Sequence, residues 1–269
     1  MPAFDIGTVF SRFIRLVGEN FAIIAALGFI GVILPSVVVA YGVTSMLGGL
    51  IGAANPADAY LGMFTGTNMG ISFGSGLLLF VLNLIILSMI TEVTILRAIG
   101  KPVDVGTIFG HALRNILPLL AISILVGIMV VLGFIALIIP GIFLGLATCV
   151  AVPAYVGEPA RGITGSISRS FELTKGRRWW LLLIFIVLGI GAMVIGGTIS
   201  SMAMPFMFTP GTTPDAASMG TAMMPYMLVN AAVDGVIRVL GTVLVAAIYV
   251  CLRETRERLT PETTAEVFN

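Results

Sequence analysis

Charged side chains are scarce in this chain: Asp, Glu, Lys and Arg together make up 10% of its 269 residues. That scarcity, beside 58% hydrophobic residues and a mean hydropathy of +1.11, excludes a water-soluble domain. Histidine occurs once, as His111. A metal-dependent phosphodiesterase gathers several His, Asp and Glu around its cation, with a general acid and base beside them, and the sequence has no such constellation. The two cysteines, Cys149 and Cys251, fall in apolar runs and form no C-x-x-C motif. They predict no disulfide framework and read as small packing residues. A Gly-rich phosphate loop and a nucleophile elbow are also missing. The expectation is a non-enzymatic chain with no resident cofactor or metal.

What is abundant is apolar sequence. A bilayer core of roughly 30 Å takes about 20 helical residues. Material of that kind fills 21–47, 71–97, 116–156, 179–205 and 226–252. The 116–156 run is about twice one span, and Pro140-Gly141 within it reads as a hairpin turn. This predicts an all-α membrane protein with six transmembrane helices. Of the fourteen Lys and Arg, all but Arg238 lie in the N-terminus, the 97–114 and 161–178 connections or the C-terminal end. The connections near 50–70 and 200–225 carry only Asp58 and Asp215. The positive-inside rule then puts both termini in the cytoplasm. Basic residues this close to spans point to anionic lipid headgroups as partners, not nucleic acid. Residues 21–40 are longer than a usual signal core, and Asp5 and Glu19 stand among the preceding charges, so the first apolar run reads as a retained helix.

Two segments open alike: Phe4-Asp5-Ile6-Gly7-Thr8-Val9-Phe10 and Val103-Asp104-Val105-Gly106-Thr107-Ile108-Phe109. A third is more diverged. Aligning Gly7 with Gly165 sets Phe13 on Phe171, Gly18 on Gly176 and Phe21 on Trp179. The chain therefore reads as three repeats, at about 4–99, 103–157 and 162–258. Each holds two spans, and all begin in the cytoplasm, so they form parallel hairpins about an axis along the membrane normal. Residues 1–258 make one polytopic domain, and 259–269 a flexible polar cytoplasmic tail.

Each hairpin is preceded by a short amphipathic segment. Ile6, Val9, Phe10, Phe13 and Val17 oppose Asp5, Thr8, Arg12 and Arg15; Val105, Ile108, Phe109, Ala112, Leu113 and Ile116 oppose Asp104, Thr107, His111 and Arg114. These are helical spacings, with Asp5 and Asp104 placed to cap the helix starts. The segments read as interfacial helices, or else as the cytoplasmic ends of the spans.

The third copy ends in a basic, aromatic collar. Lys175, Arg177 and Arg178 precede Trp179 and Trp180, and a long apolar run follows. Trp rings settle at headgroup depth. Arg stems lie on apolar surface while their guanidinium groups reach phosphates. Gly176 suits the left-handed residue that closes a helix. With Arg12, Arg15 and Arg114, the collar residues make the headgroup-facing set. The stretch from Pro153 reads P-A-Y-V-G-E, a spacer, then S-R-S-F-E-L-T-K-G-R-R-W, and Ala247 to Glu254 reads A-I-Y-V-C-L-R-E. Together they resemble the bacterial glycerophosphodiester phosphodiesterase membrane-domain family, which includes YciC-like proteins. At Glu158-Pro159-Ala160-Arg161-Gly162 the chain departs from that family's Gly-rich helix start. The resemblance implies a multi-pass protein of the bacterial inner membrane, here without the catalytic barrel of fused relatives.

Polar residues inside the spans are the remaining candidates. Asp234 and Arg238 are four apart and share a helix face. Arg238 is about fifteen residues from Arg253, near the midplane by helical rise. Each charge at that depth costs on the order of 2.5–3.5 kcal/mol. The pair marks a polar path or anion site, or else an ion pair that fixes helix orientation. Asn230, one turn earlier, and Asn83, mid-span, are associated polar residues or interhelical hydrogen-bonding groups. Glu92 reads as a snorkelling or paired carboxylate, and Glu158 as a partner for the basic helix of the third copy. Gly66, Gly70 and Gly74 recur at small-xxx-small spacing, as do Gly141 and Gly145, and read first as core packing. Seven of the fourteen methionines, Met202, Met204, Met207, Met219, Met223, Met224 and Met227, crowd the 200–227 connection. Their thioethers read as a flexible apolar surface in preference to a Cu(I) site.

Two functions remain. The first is a non-catalytic module that engages lipid headgroups, a membrane-protein partner or a second copy. The alternative is a transporter or carrier of lipid or a small anion through an Asp234/Arg238 site, against which stands the absence of clearly broken helices.

Overall fold

The computed structural model describes residues 6–51, 57, 61, 66–203 and 216–257, and every regular element among them is helical. Helix α1 (Ile6–Glu19) leads into α2 (Phe21–Gly28), a π-helical turn (Phe29–Ile33) and α3 (Leu34–Ile51). Then come α4 (Gly66–Ala98), α5 (Val105–Arg114), α6 (Ile116–Ala136), α7 (Ile138–Thr148) and α8 (Ala151–Gly157). A 3-10 turn (Pro159–Arg161) precedes α9 (Gly162–Thr174), α10 (Arg178–Ala203) and α11 (Ala216–Glu257). Among the described residues, six stretches are long and apolar enough to cross a membrane: Phe21–Gly42, Phe73–Ala98, Ile116–Ala136, Ile138–Gly157, Arg178–Ile199 and Met224–Glu257. The chain thus has the character of a multi-pass, all-α membrane protein. Asp5, Asp58, Asp215, Met204, Met207 and the 259–269 tail lie outside the described residues, as do the surroundings of Gly66 and the side chains of Met219 and Met223.

Prolines decide where these helices break. Proline lacks the N–H that would bond the carbonyl four residues back, and its ring crowds that carbonyl. The turn expected at Pro140-Gly141 falls earlier, at Leu137, which is extended (φ −169°, ψ 158°). Pro140 is the third residue of α7, where no helical N–H is needed, and the first helical bond is Gly141 N–H to Leu137 O at 3.2 Å. Pro153 repeats the arrangement. It is the third residue of α8, and the chain turns at Cys149-Val150 just before it. Pro35 follows the π turn, where Leu34 N–H reaches Phe29 O. The sequence reading found no clearly broken helix; the structure breaks one span at Cys149-Val150 and widens another at Phe29–Ile33.

The chain forms two compact units. The first comprises Met1–Leu27, Leu84–Leu188 and Val239–Asn269. Its core joins Val9, Leu146, Val150, Ala154, Leu173, Leu181, Ile184, Leu244, Ile248, Tyr249 and Leu252. Helices gain little from apolar burial when lipid is the alternative, so close packing and hydrogen bonds decide contacts. Glycine supplies the closeness. A Cβ on Gly133 would stand 2.9 Å from the Gly141 Cα, and one on Gly157 would stand 2.7 Å from the Tyr249 hydroxyl.

The three segments that precede the spans differ in what they bury. In α1, Val9 and Leu16 are buried. In α5, Ile108 and Ala112 are buried while Val105, Phe109 and Leu113 stay exposed. In α9 most of the buried face is polar: Ser166, Arg169, Ser170 and Thr174 beside Leu173. This helix lies inside the unit. The reason is the break at Cys149-Val150. The Ser170 hydroxyl donates to Ala147 O at 2.8 Å, beside that break.

The second unit comprises Gly28–Asn83 and Gly189–Arg238. Here Gly235 admits the π turn: a Cβ on it would lie 2.9 Å from Ile33 Cγ1 and 3.2 Å from Ile33 Cα. Gly70 and Gly74, read from sequence as core-packing positions, have nothing within 4 Å of a built Cβ, and neither has Gly145. Gly141 alone of these described glycines is closely met, by Phe134 and Gly133.

Candidate functional site

A groove of about 600 Å³ opens within the second unit. Helix α3 contributes Pro35, Ser36, Val39 and Ala40; α4 contributes Gly76, Leu79, Phe80 and Asn83; α11 contributes Tyr226, Met227, Asn230, Ala231, Asp234 and Arg238. The positions recur every three or four residues, so each helix presents one face. The π turn and Pro35 set the start of α3 at the groove, and the Ser36 hydroxyl donates to Val32 O at 2.7 Å.

The four polar residues singled out from sequence all line this groove. Arg238 Nε donates to Asp234 Oδ2 at 2.8 Å, and each of the two side chains is 54% exposed. Asn230 Nδ2 donates to Tyr226 O at 2.9 Å, and Asn83 Nδ2 donates to Leu79 O at 3.0 Å. The buried Asn83 Oδ1 has no donor among the described residues. The rest of the wall is mostly aliphatic and aromatic. The arrangement sets one fixed ion pair against apolar surface, which suits a ligand with a charged end and a greasy body.

The first unit holds a charged cluster around Glu158, at the end of α8. Tyr249 Oη donates to Glu158 Oε1 at 2.9 Å, Arg169 Nε to the same oxygen at 3.3 Å, and Arg161 Nε to Oε2. Arg253 Nε stands 3.6 Å from Oε1 and 2.9 Å from Glu257. Arg169 also pairs with Glu257. Burial alone would push the Glu158 carboxyl up. The Tyr249 hydroxyl, the charges of Arg169 and Arg253, and the Arg161 bond outweigh it and hold the carboxyl below its ordinary value. The pairing of Glu158 with the third-copy helix was foreseen from sequence. The partners Tyr249, Arg253 and Glu257 were not. Their only sequence signal was the A-I-Y-V-C-L-R-E stretch, which carries two of them.

The remaining candidates are spread out. Arg12 does not stand free with the headgroup-facing cations: it is partly buried and bonds Glu254 at 2.7 Å, which balances its charge where α1 packs. Arg178 lies 4.1 Å from the Phe143 ring centroid and 5.7 Å from that of Phe171. Arg15, Arg114 and Lys175 are exposed, Trp179 is 83% exposed and Trp180 about half exposed. Burial and the nearby Arg256 push the Arg177 guanidinium below its usual value. Gly176 takes φ +82° between α9 and α10. Asp104 accepts from Gly106 N at 3.3 Å and Thr107 N at 3.2 Å. The Thr107 hydroxyl and these amides hold its carboxyl below the usual range. Glu92 bonds His111 Nδ1 at 2.8 Å. Among the described residues no three His, Cys, Asp or Glu stand together as a metal set. Compared with family models, curated proteins and solved structures, the chain finds no match.

Proposed function

We propose that this chain is a non-enzymatic, multi-pass protein of the bacterial inner membrane that engages lipid, with the groove of α3, α4 and α11 as its binding place. The single observation that supports this is the coincidence of Asn83, Asn230, Asp234 and Arg238 on one apolar-walled groove. A merely orienting ion pair needs no cavity. The break before Pro153 and the π turn before Pro35 remove the objection that a carrier lacks broken helices. Three parallel hairpins with both termini in the cytoplasm, and membership of the YciC-like family, complete the proposal on the sequence grounds given above.

The test is native mass spectrometry of protein extracted gently from its own membrane. A lipid or small polar molecule held by the wild type and lost from an Asp234→Asn, Arg238→Leu double variant of unchanged fold and abundance is the expected result. An empty wild-type protein sinks the reading. Topology is checked separately: a cysteine placed at position 60 or 213 labels from outside, and labelling from the cytoplasm alone overturns the orientation.

A second reading places the engagement at the membrane surface, with a lipid headgroup, a membrane-protein partner or a second copy. It draws on the exposed Trp179 and Trp180 and on the exposed Val105, Phe109 and Leu113 of α5, which suit an interfacial helix. Under that reading a stoichiometric protein companion, or lipid retention indifferent to Asp234 and Arg238, is what the same experiment returns.

A further inference from the structure

In the first unit, the turn between α9 and α10 gathers cations from two distant stretches of the chain. Gly176, at φ +82°, bends the backbone there. Glu172 O, in the last turn of α9, accepts from Lys175 N–H at 3.2 Å and from Arg256 Nη2 at 2.8 Å. The shared carbonyl brings Arg256, from the last turn of α11, to the same turn as Lys175 and Arg177. Arg178 follows, with its guanidinium 4.1 Å from the Phe143 ring centroid. We infer that this turn is a binding site for an anionic phospholipid, whose phosphate is held by Arg177 and Arg256 and whose acyl chain runs along α10. This rests on the reading of engagement at the membrane surface and is separate from the groove.

The sign of the charge comes first. On the adjoining turns, Glu158, Glu172 and Glu257 are matched by Arg161, Arg169 and Arg253. Lys175, Arg177, Arg178 and Arg256 therefore add an excess of positive charge. Holding like charges together costs free energy: burial, and then the charge of Arg256, push the Arg177 guanidinium below its usual value. A phosphate beside both turns that repulsion into attraction, and guanidinium matches phosphate in shape as well as sign. A zwitterionic headgroup brings an ammonium to a place already rich in cations, so a net anion is favoured. Depth agrees. Arg178 is the first residue of a stretch long enough to cross a membrane, and Trp179, 83% exposed, is a ring of the kind that settles at headgroup level. Further along α10, Leu183, Ile186 and Val187 are exposed at helical spacing. An acyl chain covers that surface, and a free phosphate does not. The charge also belongs to this turn in particular: aligning Gly18 with Gly176 sets Glu19, of opposite sign, on Arg177.

The experiment reconstitutes the full chain in nanodiscs of equal phosphatidylethanolamine and phosphatidylglycerol, with free glycerophosphoglycerol added, and reads retained species by native mass spectrometry. Wild type is expected to retain the anionic lipid by about tenfold over the zwitterionic one, as a headgroup charge met by several cations supplies. An Arg177→Gln, Arg256→Gln double variant is expected to lose that preference. An Arg97→Gln, Lys101→Gln variant, which removes the same charge from another connection, is expected to keep it. Equal retention of both lipids by wild type overturns the inference and leaves engagement at the surface standing. So does an unchanged preference in the folded Arg177, Arg256 variant, or an equal loss in the Arg97, Lys101 variant. Loss of the preference in a folded Asp234→Asn, Arg238→Leu variant assigns it to the groove and overturns the inference as well. Retention of glycerophosphoglycerol with no lipid also overturns it, and retention of nothing removes the surface reading itself. A second measurement needs no variant: wild-type amide exchange across 174–180 is expected to be slower in phosphatidylglycerol nanodiscs than in phosphatidylethanolamine ones, and equal exchange refutes the site.

Discussion

Changing Glu158 to Gln keeps the shape of the side chain and removes its charge. Arg169 and Arg253 are only 8% and 5% exposed, and both count on this carboxylate. The charge-assisted hydrogen bond from Arg169 contributes roughly 1.5–3 kcal/mol, Arg253 at 3.6 Å adds an ion pair without a hydrogen bond, and a buried pair that loses one member costs on the order of 3–5 kcal/mol. Gln retains an acceptor for ordinary bonds of about 1 kcal/mol each, and Glu257 still faces both arginines. The expected loss is therefore about 2–3 kcal/mol. It is measured as the shift in unfolding free energy when denaturing detergent is titrated into mixed micelles and far-UV circular dichroism is followed. Acid adds a second readout. The folded carboxyl titrates below its ordinary value, so the stabilisation it contributes is fully present above the unfolded value of about 4.3. It is lost as pH falls from there through the lower folded value. Glu158→Gln removes that share of the acid limb. A variant within about 0.5 kcal/mol of wild type, the range of an indifferent surface change, with an unaltered acid limb, would refute the reasoning.

Gly133→Ala places a methyl against the Gly141 backbone and is expected to cost about 1–3 kcal/mol as overpacking. Gly127→Ala on the same helix meets nothing within 4 Å and should be neutral, and equal effects in the same titration would discredit the close-approach account. Gly235→Ala presses on the backbone of Ile33 and is expected to lose lipid from the groove while Gly196→Ala, whose nearest neighbour is at 3.7 Å, keeps it. Asp104→Ala should speed amide exchange at Gly106 and Thr107, the two groups it caps, with α10 unaffected; unchanged exchange at both sites contradicts the cap.

The number and placement of long apolar helices were legible because span length follows from bilayer thickness. Their breaks were less so. Pro140 marked a turn near the right place, yet the pattern alone did not say that proline prefers the first turn of the following helix to the turn itself. Gly70 and Gly74 misled for the opposite reason. Small residues permit close approach but do not bring a neighbour, and the approaches of Gly133, Gly157 and Gly235 come from single glycines whose partners are Gly141, Tyr249 and Ile33. At the groove, Asp234 and Arg238 announced themselves by charge where charge is costly. The Glu158 partners could not, since Tyr249 and Arg253 lie more than ninety positions along the chain, in a stretch that reads as an ordinary helix end.

The helix breaks and the polar clusters belong to one physical requirement. A proline inside a span takes a hydrogen bond from the carbonyl four residues back, and in lipid an unsatisfied carbonyl costs several kcal/mol. Hydroxyls also bond carbonyls close to both breaks, though not the ones the prolines free. Ser36 donates to Val32 O beside the π turn, and Ser170 donates to Ala147 O beside the Cys149-Val150 turn. Ser36 then lines the groove, and α9, held in place by Ser170, carries the Arg169 that meets Glu158. A broken helix also ends its regular packing early, which leaves room for side chains that a continuous helix would exclude. Replacing Pro35 or Pro153 with alanine should therefore act first on the adjoining cluster. Lipid retention is expected to fall for Pro35→Ala and the acid limb to change for Pro153→Ala, whereas a uniform loss of stability in both, with retention and pH dependence intact, would separate the breaks from the sites.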